Sequence, residues 1–296
     1  MIKYAGIEIN PQSLLSQYPR GSAEIEIIEK LSKSSKVYDY SSEDELIFEI
    51  GLRRNIINAS LALYRGRLGF RTFHESKCNE AFWERLENGG FVLKKDIKPS
   101  DAINDIFKNT RKYATECATA IVMIYYKAVL EAYSEALFNK AFLEITLMNW
   151  QQLDEILGVA TYRKLSDYIP GDCRYFRNPD VNPLTPEWQG ENAIDLGNGS
   201  YYGHGIGVGN QDRIIAALNA NRIEDAQASA YLMDTATRPD FIGLYQYKKN
   251  SILEHVVVSA ATPPVVPALA PVVPVTPVVP AVPAVAPAVP SVAPLV

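Results

Sequence analysis

The chain has 296 residues, a net charge of −5, 47% hydrophobic and 21% charged residues, proportions that exclude a wholly disordered protein. The mildly acidic balance, with no long Lys/Arg run, argues against binding to a phosphate backbone, so no nucleic-acid partner is expected. Three scattered cysteines without a C-x-x-C pair, and three histidines (His74, His204, His255), predict neither a disulfide scaffold nor a metal centre, and no cofactor is expected.

In chain order, the N-terminus Met1-Ile2-Lys3-Tyr4 lacks a basic-then-apolar leader pattern, which predicts no classical secretion. Ser22 to Lys33 reads as a short amphipathic helix. Ser42-x-x-Glu45 is a capping box that opens a longer helix from Glu43 to about Tyr64, with Leu46, Ile47, Ile50, Leu52, Ile56 and Ile57 at helical spacing. Phe91 to Leu93 reads as a strand, and Pro99-Ser100-Asp101 opens another helix through about Phe107. The most informative helix is predicted from Thr115 to about Leu137. Its stretch from Ala118 to Tyr126 has no polar face, so it belongs in a core.

Past Pro170 the pattern turns to short strands: Cys173 to Phe176, Asn192 to Leu196, and Tyr201 to Val208. Asn198-Gly199 between the last two marks a hairpin. Helices are predicted again over Asp212 to Asn219 and Ile223 to Thr235. The sum is an α+β fold with a buried helix on a mainly antiparallel sheet.

From Val256 to Val296, 41 residues carry no charge, and eleven of the nineteen prolines lie between Pro263 and Pro294. A hydropathy window would flag this stretch, but each interior proline costs a helix about 3 kcal/mol. No membrane span is expected, because lipid demands paired backbone groups. An extended polyproline II segment, about 3.1 Å per residue, is expected instead. The chain therefore divides into one domain, 1–250, and a low-complexity Val/Ala/Pro tail, 251–296, extended or disordered.

Cys117 falls near the start of the apolar helix, where unpaired N–H groups favour a thiolate. Cys78 and Cys173 read as incidental. With a two-residue loop at Asn198-Gly199, Gly197 faces Ser200 and His204 faces Ala193. Glu191 then lies diagonal to His204, about 7–8 Å away. A carboxylate and an imidazole thus converge on one side of a hairpin. Gly203, Gly205 and Gly207 line up on the opposite face and permit close approach. Phe70, Trp150 and Trp188 flank these segments and could exclude water from a thiol nucleophile. These residues alone leave three readings open: an acyltransferase, a cysteine peptidase or amidase using Cys117 and His204, and a structural protein with Cys117 as plain core.

Tyr113-Ala-Thr-Glu-Cys-Ala-Thr-Ala-Ile-Val-Met-Ile-Tyr-Tyr126 resembles the nucleophile helix of the spore-coat transglutaminases of spore-forming bacilli. So does Trp188-Gln-Gly-Glu-Asn192 with His204 thirteen residues after the Glu, together with Gly171 to Pro179, Ser229 to Leu232 and Ala236 to Arg238. The similarity runs from about Ile2 to Tyr247. The resemblance implies a papain-like core related to the NlpC/P60 cysteine hydrolases. It implies Cys117 as nucleophile, Glu191 as its main partner, Glu116 in a partly redundant supporting role, and His204 as a further catalytic residue. It also implies Phe70, Trp150 and Trp188 as the walls of a substrate tunnel, and calcium-independent crosslinking of spore coat proteins through their glutamines and lysines. The protein would then sit at the spore coat or surface, made in the cytoplasm without a signal peptide. Two features depart from the family pattern: the Val/Ala/Pro tail, and Gly203 where alanine is expected.

Overall fold

The computed structural model describes residues 1–150 and 152–261. β1 (Ile2–Tyr4) pairs antiparallel with β2 (Ile7–Glu8) and parallel with β3 (Tyr38–Tyr40). α1 (Pro11–Leu15) and α2 (Ala23–Lys33) pack on this small sheet around Leu14, Ile27, Ile28 and Leu31. α3 (Glu43–Gly66) opens at Ser42, whose Oγ accepts the Glu45 N–H at 3.4 Å. The Glu45 carboxylate reaches back to the N–H of Ser41, one residue earlier than a standard capping box. Arg67, left-handed at φ 60°, ends the helix.

β4 (Gly69–Phe70) pairs in parallel with β7 (Ala114–Thr115), and β5 (Trp83–Arg85), β6 (Phe91–Leu93) and β8 (Thr146–Leu147) form a second small sheet. α4 (Pro99–Lys108) lies between β6 and β7 in sequence. α5 (Cys117–Ala132) is the central rod, packed on α3 and on the main sheet. Every residue from Ala118 to Tyr126 is buried. Each large apolar side chain among them contributes about 1.5–3 kcal/mol by leaving water.

The main sheet is antiparallel throughout, in the order β13 (Gly207–Asn210), β12 (Ser200–Gly203), β11 (Gly190–Gly197), β10 (Cys173–Arg177), β15 (Thr235–Arg238), β9 (Ala160–Arg163), with β14 (Tyr231–Leu232) also on β10. α6 (Glu135–Ala141), α7 (Gln211–Asn219) and α8 (Phe241–Ala261) complete the fold. No helix among the described residues is long and apolar enough to cross a membrane.

Four expectations are corrected. The helix expected over Thr115 to Leu137 is two helices. Tyr133 is extended at φ −101°, ψ 166°, and Ser134 caps a new start by accepting the Leu137 N–H at 3.2 Å. The helix expected over Ile223 to Thr235 is a loop leading into β14 and β15. Its donors are taken elsewhere: the Asp180 carboxylate accepts the N–H of Gln227 and of Ala228, both at 2.7 Å, and Asn219 Oδ1 accepts that of Ala230 at 2.8 Å. The strand expected over Tyr201 to Val208 folds back after Gly203, which pairs with Gly207 across a turn where Gly205 has φ 99°. The three glycines therefore do not line one strand face. Finally, α8 carries the helix across the expected boundary at 250. Residues 262–296, where the extended tail is expected, lie outside the described residues.

A buried ionic cluster clamps the helices to the sheet. Arg53 on α3, with no exposed surface, donates to Glu49 at 2.8 Å and to Asp172 at 2.8 Å. Arg238 on β15 donates to the other Asp172 oxygen at 2.6 Å. Asp172 immediately precedes β10, so this cluster fixes the strand against which β11 is laid.

Candidate active site

Cys117 is the first residue of α5 and keeps some exposure. Its helix starts there because Glu116 is the cap: the carboxylate accepts the N–H of Ala118 at 2.5 Å and of Thr119 at 2.7 Å. This corrects the expected effect of the helix end on the sulfur. The N–H groups that would favour a thiolate are occupied by an anion two or three residues away. Burial, then the charges of Glu191 and Glu116, push the Cys117 thiol well above its ordinary value. Opposing them are a backbone and a side-chain hydrogen bond from Asn192, whose Nδ2 lies 3.4 Å from Cys117 Sγ.

Glu191 comes from the second position of β11, opposite Phe176 of β10. It is 3% exposed, and its Oε1 has no hydrogen-bond partner among the described residues. Burial drives its carboxyl well above the carboxylate range; a backbone hydrogen bond from His204 works against this and the Glu116 charge adds to it. The route that brings Glu191 here differs from the expected register. Gly197 does face Ser200, but a bulge between Asp195 and Gly197 shifts the ladder, so Ala193 faces Gly203 rather than His204. Gly203 backs onto Glu191 directly: a Cβ there would stand 3.0 Å from Glu191 Cγ.

His204 sits in the turn between β12 and β13. Its Nε2 lies 3.1 Å from the carbonyl oxygens of both Gly69 and Thr115, and its Nδ1 lies 3.3 Å from the Tyr202 hydroxyl. Carbonyls only accept, so Nε2 carries the proton and Nδ1 accepts from Tyr202. Burial lowers this imidazole to about 4, so it is neutral near pH 7. Its side chain thus ties the end of β12 to β4 and β7, the strands that carry Phe70 and lead into Glu116 and Cys117.

The Phe70 ring lies 6.0 Å from that of Trp188 and 5.8 Å from that of His204. Gly205 makes room for this wall, since a Cβ there would be 2.8 Å from Phe70 Cδ2. Trp150 packs against the main core after β8; the preceding Asn149 N–H donates to Thr119 Oγ1 at 2.9 Å, which ties this segment to the first turn of α5. Cys78 and Cys173 are free thiols, and Cys173 lies close to the site, with Sγ 4.0 Å from Asn192 Oδ1. Asn192 and Tyr202 were not singled out by the sequence reading. The only signal for Asn192 is its place directly after Glu191. Among the described residues no group of three or more His, Cys, Asp or Glu side chains is placed to hold a metal ion.

The family described as protein-glutamine gamma-glutamyltransferase matches residues 1–248. The chain belongs to the protein-glutamine gamma-glutamyltransferase family. A protein-glutamine gamma-glutamyltransferase of Bacillus mycoides is 46% identical over 239 residues, 81% of this chain and 86% of that relative. One of Bacillus anthracis is 44% identical over 232 residues, 78% of this chain and 83% of that relative. Among solved structures, a transglutaminase from Geobacillus stearothermophilus, without its C-terminal extension, is 51% identical with a TM-score of 0.67, covering 70% of this chain and 98% of that one. The chain is therefore an enzyme of the transglutaminase class, acting on proteins, and its α+β architecture is similar to that of a bacterial transglutaminase.

Proposed function

We propose that this enzyme forms isopeptide crosslinks through a thioester on Cys117, with Glu191 as the proton carrier. The observation that carries the reading is the pairing, at the start of α5, of a partly exposed thiol with a buried carboxyl that has a free oxygen. Both groups are pushed up, chiefly by burial, and the Glu191 charge disfavours charge on Cys117. The reactive form of this pair is the one that holds one negative charge and one proton. When the charge rests on Glu191, its raised basicity suits removal of a proton from sulfur. The thiolate attacks the side-chain carboxamide of a protein glutamine. The protonated Glu191 returns the proton to the departing ammonia, leaving a thioester. A lysine amine then attacks, loses its proton to Glu191, and regenerates the thiol as the amide forms. Phe70, Trp188 and Trp150 wall the site against water, which would otherwise hydrolyse the thioester.

Glu116 supports this chemistry by seating the helix and by biasing the shared charge. His204 acts here as a positioning residue: both ring nitrogens are occupied by Gly69, Thr115 and Tyr202. That occupation also weighs against a cysteine peptidase or amidase that uses His204 as its base. A thiol on the first turn of a buried helix, packed on an antiparallel sheet, fits a papain-like core related to the NlpC/P60 hydrolases. Spore coat proteins as substrates, and independence from calcium, rest on the sequence resemblance. The test is incorporation of a labelled primary amine into a glutamine-containing protein, with a calcium chelator present. Wild-type protein should incorporate label and Cys117→Ala should not; incorporation by the variant would overturn the reading, and a strict calcium requirement would remove that part of it.

A further inference from the structure

We infer that Asn192 is a catalytic residue of this site, the donor that holds negative charge on Cys117 Sγ. The inference rests on the thioester reading above. Three observations support it. Asn192 Nδ2 lies 3.4 Å from Cys117 Sγ, within the range for a hydrogen bond to sulfur. The other end of the same carboxamide, Oδ1, lies 4.0 Å from the buried Cys173 Sγ, whose S–H also has the Arg174 carbonyl at 4.0 Å. With Nδ2 on Cys117 and Oδ1 on Cys173, the amide satisfies both sulfur contacts. The backbone of Asn192 is held by the β10 ladder opposite Tyr175, so the donor is fixed by a sheet rather than by a loop.

The electrostatics make such a donor necessary. Burial and two carboxylates oppose charge on Cys117, and the helix-end N–H groups of Ala118 and Thr119 are spent on Glu116. The two hydrogen bonds from Asn192 act in the opposite direction. When the proton passes from sulfur to a Glu191 oxygen, Asn192 gains and loses no proton; the hydrogen bonds it donates to sulfur shorten as the thiolate forms. Hydrogen bonds to charged groups are stronger than neutral ones, so the contact stabilises the ionised state more than the resting thiol.

The test uses the full chain and two variants, Asn192→Ala and Asn192→Leu, the second keeping volume without the donor. The rate of iodoacetamide alkylation at Cys117 is followed against pH by mass spectrometry, beside amine incorporation. The alkylation midpoint should rise by about one pH unit in both variants. kcat should fall about ten- to a hundredfold, with KM within about twofold. An unchanged midpoint with kcat within twofold of wild type in either folded variant would overturn the inference while leaving the thioester reading intact. Amine incorporation by Cys117→Ala would overturn the thioester reading whatever the Asn192 variants do.

Discussion

Two groups of buried carboxylates in this molecule are treated in opposite ways. Between α3 and β10, Glu49 and Asp172 meet guanidinium groups: Arg53 bonds both, and Arg238 bonds the second Asp172 oxygen. Both ions are built into the frame, and Arg53 is held in its charged form by these two neighbours against its own burial. At the start of α5, Glu191 is just as buried, yet the charge acting on it is another carboxylate, Glu116. The difference teaches that burial alone does not decide a carboxyl's part. A guanidinium partner makes it a strut; a thiol and an anion as neighbours make it a group ready to exchange a proton.

That contrast can be broken by removing one member of each set. The largest expected effect is at the site. Glu191→Gln should lower kcat by about 10²–10⁴-fold with KM little changed, and leave thermal stability equal or higher, because an uncompensated buried carboxyl is gone. A rise confined to KM would remove Glu191 from the proton-carrying part. Asp172→Ala should do the reverse: a loss of about 3–5 kcal/mol of stability in urea titration, because Arg238 loses its carboxylate partner and Arg53 one of its two. A variant that unfolds at the wild-type midpoint would show that the cluster is not a clamp.

His204 sharpens the picture at a third buried ionisable group. Its imidazole titrates near 4 in the fold and near the ordinary 6.5 when unfolded. The folded state therefore binds fewer protons across that window, and its contribution is complete above about pH 6.5 and lost as pH falls through about 4. The change is about 3 kcal/mol. Denaturation midpoints measured from pH 7 to 4 should fall steeply in wild type and less steeply in His204→Gln. The smallest effect expected is Gly203→Ala. The new methyl would stand 3.0 Å from Glu191 Cγ and 3.1 Å from Oε1. A displaced carboxyl should lower kcat by less than about tenfold, without moving the melting temperature.

Much of this fold is written in local sequence signals. The Ser42 cap, the apolar stretch of α5 and the Asn198-Gly199 turn each encode their own geometry within a few residues. The placing of Cys117 with Glu191 was legible through the family resemblance alone. The bulge at Asp195–Gly197 was not, because a single extra residue in a ladder leaves no mark in an alternating pattern. The loop over 223–235 has a helical composition that is overruled by Asp180, more than forty residues earlier. The Arg53 cluster joins residues 119 positions apart, and no periodicity links them.

Capping by Glu116 reaches beyond turnover. Peroxides attack sulfur as the anion, and here burial first, then Glu191 and the same Glu116 carboxylate that starts the helix, push the resting thiol toward its protonated form. A sulfur held in that form is a poor target for peroxide.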